Sequence, residues 1–148
     1  MNIRIGKIND ASYIAKNNCL LAKESEDIDI SYETTLMGVK NVITDSSKGF
    51  YLVAIENNAI IGQLMITFEW SDWRNKNIWW IQSVYINKKN RRKGIFNKMI
   101  SYIKDEAKKN NVDTLRLYVY KSNINAIKTY KKIGMSKELY YIFKLNLK

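Results

Sequence analysis

The spacing of apolar positions along the chain predicts six strands and four helices. Where isoleucines alternate with polar residues, as around Ile3 and Ile5, the period of two indicates a half-buried strand. Where apolar residues recur every three or four positions, as at Met99, Ile103 and Ala107, the pattern indicates a helix with one buried face. The predicted strands span residues 2–8, 50–56, 59–70, 78–86, 114–120 and 139–147. The predicted helices span residues 10–24, 32–45, 94–110 and 125–133.

Turn residues and the order of the elements indicate the fold class. Asn57 and Asn58, between the second and third strands, suit a hairpin turn that needs positive φ. Gly134 fits a helix stop. The order β-α-α-β-β-β-α-β-α-β predicts an α/β (α+β) fold with helices around a mixed sheet. Three consecutive strands exclude a doubly wound fold, and we expect residues 1–148 to form a single domain.

The amino-acid composition excludes several classes of protein and of site. The chain is 46% hydrophobic and 26% charged, as expected of a globular protein, and no apolar run approaches the ~20 residues that span a bilayer. The first residues lack the pattern of a secretory signal, and Cys19 is the only cysteine. We therefore expect a cytoplasmic protein without an internal disulfide. Because the chain has no histidine, a zinc site or a histidine-activated nucleophile is nearly excluded.

The net charge of +11 is unevenly distributed along the chain. Residues 1–86 carry 8 lysines and arginines against 10 acidic residues, whereas residues 87–148 carry 17 against 4. An anionic partner of the second half would explain this asymmetry. A basic, solubilising surface would explain it equally well, and the charge alone leaves both interpretations open.

The basic segment, residues 91–96, has the sequence Arg-Arg-Lys-Gly-Ile-Phe and joins a predicted strand to a predicted helix. A helix start presents unpaired backbone N–H groups and the positive end of the helix dipole. Phosphate binds well there, above all where a glycine such as Gly94 allows the backbone to approach closely. The basic segment therefore predicts an anion site, although most basic turns are only solvated connections.

A second block, residues 123–135, indicates which anion the basic segment binds. Its pattern is Asn123, two residues, Ala126, three residues, Tyr130, three residues and Gly134. With the basic segment before it, this block resembles the GNAT superfamily of N-acetyltransferases. The resemblance covers essentially the whole chain, although the specific motifs lie within residues 78–135. It implies a GNAT-like mixed, mostly antiparallel sheet flanked by four helices, with splayed fourth and fifth strands, and acetyl-CoA as co-substrate without a metal.

Two positions depart from the family pattern. Phe96 stands where the last loop residue is usually glycine or alanine, and Met135 stands where an aromatic residue is common. If the phosphate contacts are made by backbone N–H groups, the Phe96 side chain is tolerable provided that it points into the core. Met135 keeps the apolar character of its position. Neither departure removes the resemblance.

The resemblance also implies which residues contact the cofactor. Backbone groups of the fourth strand would bind the pantetheine arm and the thioester, and backbone N–H groups of the basic segment would hold the pyrophosphate. Asn123 would hydrogen-bond the pantetheine amides. The residues expected at the cofactor are Val84, Tyr85, Ile86, Arg91, Arg92, Lys93, Gly94, Ile95, Phe96, Asn123 and Ala126.

The resemblance makes Tyr130 the candidate catalytic acid, because a nearby phenol can protonate the thiolate of coenzyme A as it leaves. A plain core tyrosine is the alternative. The residue that would act as general base is less clear. Gln82 lies on the fourth strand, where relatives often have a carboxylate or histidine. Glu69 is the candidate base and Glu33 the second choice, and a water chain to bulk solvent would need neither.

The acceptor site implied by the resemblance lies near the first two helices and the third to fifth strands. That region holds acidic residues and aromatic rings, and both attract a cationic amine. Ordinary solvated carboxylates and rim aromatics are the simpler interpretation of most of them. The residues expected at the acceptor are Glu33, Trp70, Gln82 and Tyr118. A polyamine, an aminoglycoside or an amino acid would fit.

Two other classes of function stay open. A nucleic-acid-binding module would use the basic half on phosphates, but no recognition motif appears and the 123–135 block would go unexplained. A protein that binds acetyl-CoA without turnover would act as a sensor. For partners, we expect a small-molecule or peptide amine, no membrane and no nucleic acid, with a homodimer left open.

Overall fold

The helices and strands begin and end close to where the apolar pattern places them. The computed structural model describes residues 1–148. Its helices are α1 (Ala11–Glu26), α2 (Tyr32–Thr44), α3 (Ile95–Lys109) and α4 (Ile124–Lys132). Its strands are β1 (Asn2–Ile5), β2 (Gly49–Glu56), β3 (Ala59–Ser71), β4 (Lys76–Ile86) and β5 (Leu115–Arg116). None of the helices combines the length and apolarity needed to cross a membrane.

The five strands form one mixed sheet in the order β1-β2-β3-β4-β5. The first three pairings are antiparallel, and β4 and β5 are parallel. The β2–β3 hairpin turns at Asn57 and Asn58, whose φ angles are 49° and 60°. Both residues have left-handed backbone conformations, as a two-residue hairpin turn requires, so this predicted turn is confirmed. The predicted fold class is confirmed as well.

The sheet separates two apolar cores, and β2 shows how the chain builds both. Tyr51 and Val53 pack with α1 and α2 on one face, whereas Leu52 and Ala54 pack toward α3 on the other. Successive side chains of a strand point to opposite faces, so a continuous apolar strand serves two cores at once. The sheet is therefore covered by helices on both faces, and α3 is positioned against β2 and β4.

Asp10 ties the end of β1 to the start of α1. Its carboxylate accepts hydrogen bonds from Arg4 Nη1 at 2.7 Å, Arg4 Nη2 at 3.1 Å and the Lys7 backbone N–H at 2.7 Å. Burial raises the pKa of this carboxyl, but the hydrogen bonds and charge of Arg4 outweigh burial, so the pKa lies below its ordinary value. Asp10 is therefore a buried carboxylate whose two oxygens both accept hydrogen bonds.

The sixth predicted strand is wrong for the isolated chain. Residues 139–147 form neither helix nor strand, and the fifth strand, predicted over 114–120, is paired only at Leu115–Arg116. The apolar alternation that predicts a strand is present, but a strand also needs a neighbour to supply backbone hydrogen bonds. No such neighbour lies beside residues 139–147 within one chain.

Candidate active site

A bulge in β4 opens the sheet. Pairing with β3 passes from Gln63–Tyr85 to Met65–Gln82, so β4 has one extra residue there, and Ser83 adopts a φ of 52°. A bulge of this kind bends a strand and increases its twist. On its other side β4 pairs with β5 only through Trp79 and Trp80 (their partners are Leu115 and Arg116). Beyond Trp80 the two strands diverge, as the predicted splaying requires.

The basic segment lies at the mouth of this opening and forms an anion cradle. Arg92 and Gly94 adopt left-handed conformations, with φ of 62° and 75°. The backbone N–H groups of residues 92–94 donate no backbone hydrogen bond, and α3 starts after Gly94 without a side-chain cap. A Cβ at Gly94 would meet no atom within 4 Å. Unpaired N–H groups around open space at a helix start suit a phosphate group.

Arg91 holds the basic segment in place rather than facing the cradle. Its Nε donates to the Ile86 carbonyl oxygen at 2.8 Å, its Nη2 contacts Glu24 Oε2 at 2.8 Å, and its guanidinium lies 5.4 Å from the Tyr85 ring centre. Burial raises the pKa of the Glu24 carboxyl, but the hydrogen bond and charge of Arg91 outweigh burial and lower it. Arg91 therefore ties the basic segment to both β4 and α1.

Asn90 is a site residue that sequence reasoning missed. It is buried, it borders the opening, and its Oδ1 atom has no hydrogen-bond partner. An unpaired buried oxygen costs free energy unless a ligand or water satisfies it. In the sequence Asn90 is one asparagine in a basic turn, and no pattern distinguishes it from other surface asparagines.

Tyr130 and Phe96 meet inside the opening. Their ring centres lie 5.7 Å apart with the rings inclined at 60°. Burial raises the pKa of the Tyr130 phenol above its ordinary value. The Phe96 side chain also packs against the larger apolar core. The departure from the family pattern at Phe96 thus supplies an aromatic neighbour for Tyr130.

Asn123 begins α4 as its cap. Its Oδ1 accepts a hydrogen bond from the Ala126 backbone N–H at 3.3 Å. The side-chain nitrogen donates no hydrogen bond within the chain and stays available to a ligand. The cap fixes the amide orientation at the edge of the opening, which is what a ligand-binding amide needs.

The opening continues as a cleft of about 1190 Å³ bounded by β4, the segment that follows β5, α3, α4 and the end of α1. This volume accommodates a ligand larger than most small metabolites. The predicted site residues that border the cleft are Gln82, Val84, Tyr85, Ile86, Arg91, Arg92, Gly94, Ile95, Phe96, Tyr118, Asn123, Ala126 and Tyr130. All the predicted cofactor residues except Lys93, the candidate acid and two acceptor residues therefore come together.

Four predicted site residues do not border the cleft: Glu33, Glu69, Trp70 and Lys93. Glu69 accepts a hydrogen bond from Trp80 Nε1 at 3.1 Å and pairs with Arg116 Nη1 at 3.3 Å. Both carboxylate oxygens of the candidate base are therefore occupied. Glu33 is exposed in the first turn of α2, and Trp70 is exposed near the end of β3. The structure does not bring these residues to the candidate acid.

The cleft has an acidic end where α1 finishes. Glu24 and Glu26 both border it, and Glu26 takes part in no ion pair. Two other cleft residues are held by neighbours outside it: the Tyr118 ring lies 6.0 Å from the Trp80 ring, and Gln82 Nε2 donates to Thr67 Oγ1 at 2.6 Å. Sequence reasoning named the acidic stretch but chose Glu33, because it could not tell which carboxylate the helix end would aim at the cleft.

Comparison with known families shows which family the chain matches. The model of the acetyltransferase (GNAT) family matches residues 18–135, which include α1, the basic segment and the 123–135 block. No functionally curated protein is significantly similar to the chain in sequence. The match includes every residue that borders the cleft.

Solved structures agree with this match. A "possible acetyltransferase" from Clostridium difficile 630 is 43% identical, with a TM-score of 0.91 over 99% of this chain and 97% of that one. A predicted acetyltransferase from Clostridium acetobutylicum, solved with acetyl-CoA, is 23% identical, with a TM-score of 0.81 over 98% and 95%. A ribosomal-protein-alanine N-acetyltransferase from Brucella melitensis is 16% identical, with a TM-score of 0.79 over 98% and 99%. The last two similarities show the fold alone.

Proposed function

Because the chain belongs to the acetyltransferase (GNAT) family, we propose that it transfers an acetyl group from acetyl-CoA to a primary amine of a small, cationic acceptor. The amine would attack the thioester directly. The observation that carries the proposal is the anion cradle, where unpaired N–H groups of residues 92–94 and the start of α3 surround open space. The cradle lies at one end of a cleft that also contains Tyr130.

We assign the binding groups of the cleft to successive parts of coenzyme A. The cradle, with the N–H groups of residues 92–96, would hold the pyrophosphate through charge-assisted hydrogen bonds. Val84, Tyr85 and Ile86 lie on the part of β4 that β5 leaves unpaired, so backbone groups on that side of β4 can pair with the pantetheine amides. Asn123 and the unpaired Asn90 add polar side chains at the same cleft. Acetyl-CoA supplies the activated acyl group as its thioester.

Tyr130 is the residue that we assign as the general acid. Since burial raises its pKa, the phenol keeps its proton at neutral pH. A protonated phenol beside the leaving sulfur can donate that proton as the carbon–sulfur bond breaks. Phe96 would hold the ring at this position, since their rings are in contact.

Neither Glu69 nor Glu24 is free to serve as base, and Glu26, the unpaired carboxylate of the cleft, is assigned to acceptor binding. Glu69 lies outside the cleft, and Glu24 is engaged by Arg91, Lys88 and Tyr85. An alkylammonium with a pKa near 10.4 must still lose a proton before it attacks. We infer that this proton leaves through water in the open part of the cleft rather than to a dedicated side chain.

The acceptor would enter from the acidic end of the cleft. Glu26 can attract an ammonium group, and the Tyr118 ring, which also borders the cleft, can contact a cation through its face. Gln82 would orient the acceptor rather than take its proton, because an amide is not a useful base. These groups support a small amine that carries more than one positive charge.

An acceptor screen tests this proposal. The chain would be incubated with acetyl-CoA and polyamines, aminoglycosides, amino acids or neutral amines, and free thiol would be measured. We expect turnover with multiply charged amines, and a lower kcat/KM for them in Glu26→Gln. Glu33→Gln is the matched control, because Glu33 lies outside the cleft. Acetylation of neutral or peptide amines alone would reject the cationic acceptor, and binding of acetyl-CoA without turnover on any amine would reject the enzyme.

A further inference from the structure

The anion cradle depends on a backbone conformation that arginine does not favour. Arg92 has a φ of 62°, in the left-handed region, where a side chain crowds the following carbonyl group. A left-handed residue other than glycine is strained and persists only where its surroundings hold it. The N–H groups of residues 92–94 donate no backbone hydrogen bond, so they do not hold this shape themselves. The side chain of the preceding residue, Arg91, makes the contacts that can hold it.

Only one of the Arg91 contacts reaches another element of the fold. The Arg91 Nε atom bonds to the Ile86 carbonyl oxygen, and the guanidinium lies over the Tyr85 ring. Both of these residues belong to the end of β4, from which the basic segment emerges. The contact between Arg91 Nη2 and Glu24 Oε2, at 2.8 Å, instead spans 67 residues and reaches the last turns of α1. Glu24 therefore anchors the basic segment to a separate element.

The Glu24 carboxylate is itself held by several groups. Its Oε1 accepts a hydrogen bond from the Tyr85 hydroxyl at 3.2 Å and lies 3.6 Å from Lys88 Nζ, while its Oε2 faces Arg91. An isolated exposed ion pair contributes little, but several charges in a network with a hydrogen-bonded carboxylate can hold one geometry. Glu24 is thus a fixed point for Arg91 and not a mobile surface carboxylate.

A buried amide fixes the helix that carries Glu24. The side chain of Gln63, in β3, is fully buried, and all of its polar atoms have partners. It accepts from Asn17 Nδ2 at 3.0 Å and donates to Asn18 Oδ1 at 2.8 Å and to the Ile14 carbonyl oxygen at 3.4 Å. A fully bonded polar network of this kind is rigid. It sets the position of α1 on the sheet about two helical turns before Glu24.

We propose that Glu24 is a positioning residue of the cofactor site, which holds Arg92 left-handed through Arg91 and so keeps the anion cradle in the shape that binds coenzyme A. The inference rests on the proposed function, because it takes coenzyme A as the ligand of the cradle. A loop that is already held in its binding conformation costs less free energy to order when the ligand arrives. Simple charge repulsion predicts the opposite effect, since a carboxylate beside an anion site weakens binding of a phosphate.

The sign of one change in affinity separates these two effects. In calorimetry with coenzyme A and no amine, Glu24→Ala should bind about fivefold more weakly or worse, the strain of one left-handed side chain expressed as an equilibrium constant. Glu106→Ala is the control, because Glu106 also pairs with a lysine, Lys109, but lies outside the cleft. It should bind like the unchanged protein. Equal or tighter binding by Glu24→Ala would overturn this inference alone, whereas no binding by the unchanged protein would also reject the proposed function.

Arg92→Gly distinguishes positioning from a general loss of structure. Glycine adopts the left-handed conformation without steric cost, so the cradle of this variant needs no anchor. Adding Glu24→Ala to Arg92→Gly should therefore weaken coenzyme A binding by no more than about twofold, within the usual error of additive effects. If Glu24→Ala weakened binding by the same factor with and without Arg92→Gly, the carboxylate would not act through the conformation of Arg92, and the proposal would be wrong.

Discussion

At the scale of single residues, Tyr130 combines three properties of a proton donor. It borders the cleft, its pKa is raised by burial, and its ring is held against Phe96. A general acid must be protonated before the reaction and close to the leaving group. The sequence supplied the spacing that singled out Tyr130, but the contact with Phe96 depends on how α3 and α4 meet.

Replacing Tyr130 by phenylalanine removes only the phenolic hydroxyl. We expect Tyr130→Phe to lower kcat by about a hundredfold or more, since general acid catalysis contributes about 10²–10⁴-fold. The dissociation constant of acetyl-CoA should change little, because the ring remains. Steady-state kinetics and equilibrium binding measure the two effects separately.

Tyr102→Phe is the control for this change, since Tyr102 lies on α3 outside the cleft and packs against the core. It should keep the kcat of the unchanged protein. If Tyr130→Phe also kept it with the preferred acceptor, Tyr130 would have no part in proton transfer.

At the scale of helices and strands, local patterns predicted most of the fold. The period of apolar positions located four helices and five paired strands, and Asn57 and Asn58 located the hairpin. Pairs distant in sequence were not predictable. Glu24 and Arg91 are 67 residues apart, and their contact depends on where α1 ends relative to β4. The prediction that Glu69 lies in the site failed for the same reason, because its partner Arg116 is 47 residues away in sequence.

Asp10 connects two elements, so its loss should destabilise the fold. Asp10→Asn should lower the free energy of unfolding at neutral pH by about 1.5–3 kcal/mol, the range for hydrogen bonds to charged groups. Because folding lowers the pKa of Asp10 below 3.8, its contribution is complete above that pH and is lost as the pH falls through the folded value. Urea unfolding at several pH values measures this difference.

Asp105→Asn provides the comparison, since Asp105 is an exposed carboxylate on α3. Exposed substitutions away from special features change stability by no more than about 0.5 kcal/mol. If Asp10→Asn were as stable as Asp105→Asn at neutral pH, the network around Asp10 would not join β1 to α1. If the difference in unfolding free energy between the two variants did not shrink in acid, the Asp10 carboxylate would not have the role assigned to it.

At the scale of the whole molecule, one chain does not complete its own sheet. The alternation in residues 139–147 predicted a strand, and the isolated chain contains none there, because strand formation depends on a partner as well as on sequence. Part of the basic charge also has a structural role, because Lys88 and Arg91 both pair with Glu24.

The anion cradle is the central feature of the account, and coenzyme A binding to two glycine variants tests it most directly. Gly94 and Gly134 both have left-handed backbones, and at each an added Cβ would meet no atom within 4 Å. Only Gly94 borders the cleft. Asparagine tolerates this backbone better than most residues, so Gly94→Asn fills the cradle with little strain.

Titration calorimetry with coenzyme A should show equal affinity for the unchanged protein and Gly134→Asn. Gly94→Asn should bind at least about tenfold more weakly, the equivalent of one lost charge-assisted hydrogen bond, while melting at the temperature of Gly134→Asn without ligand. Equal affinity of the two variants, or no binding by the unchanged protein, would contradict the assignment of the cleft to acetyl-CoA.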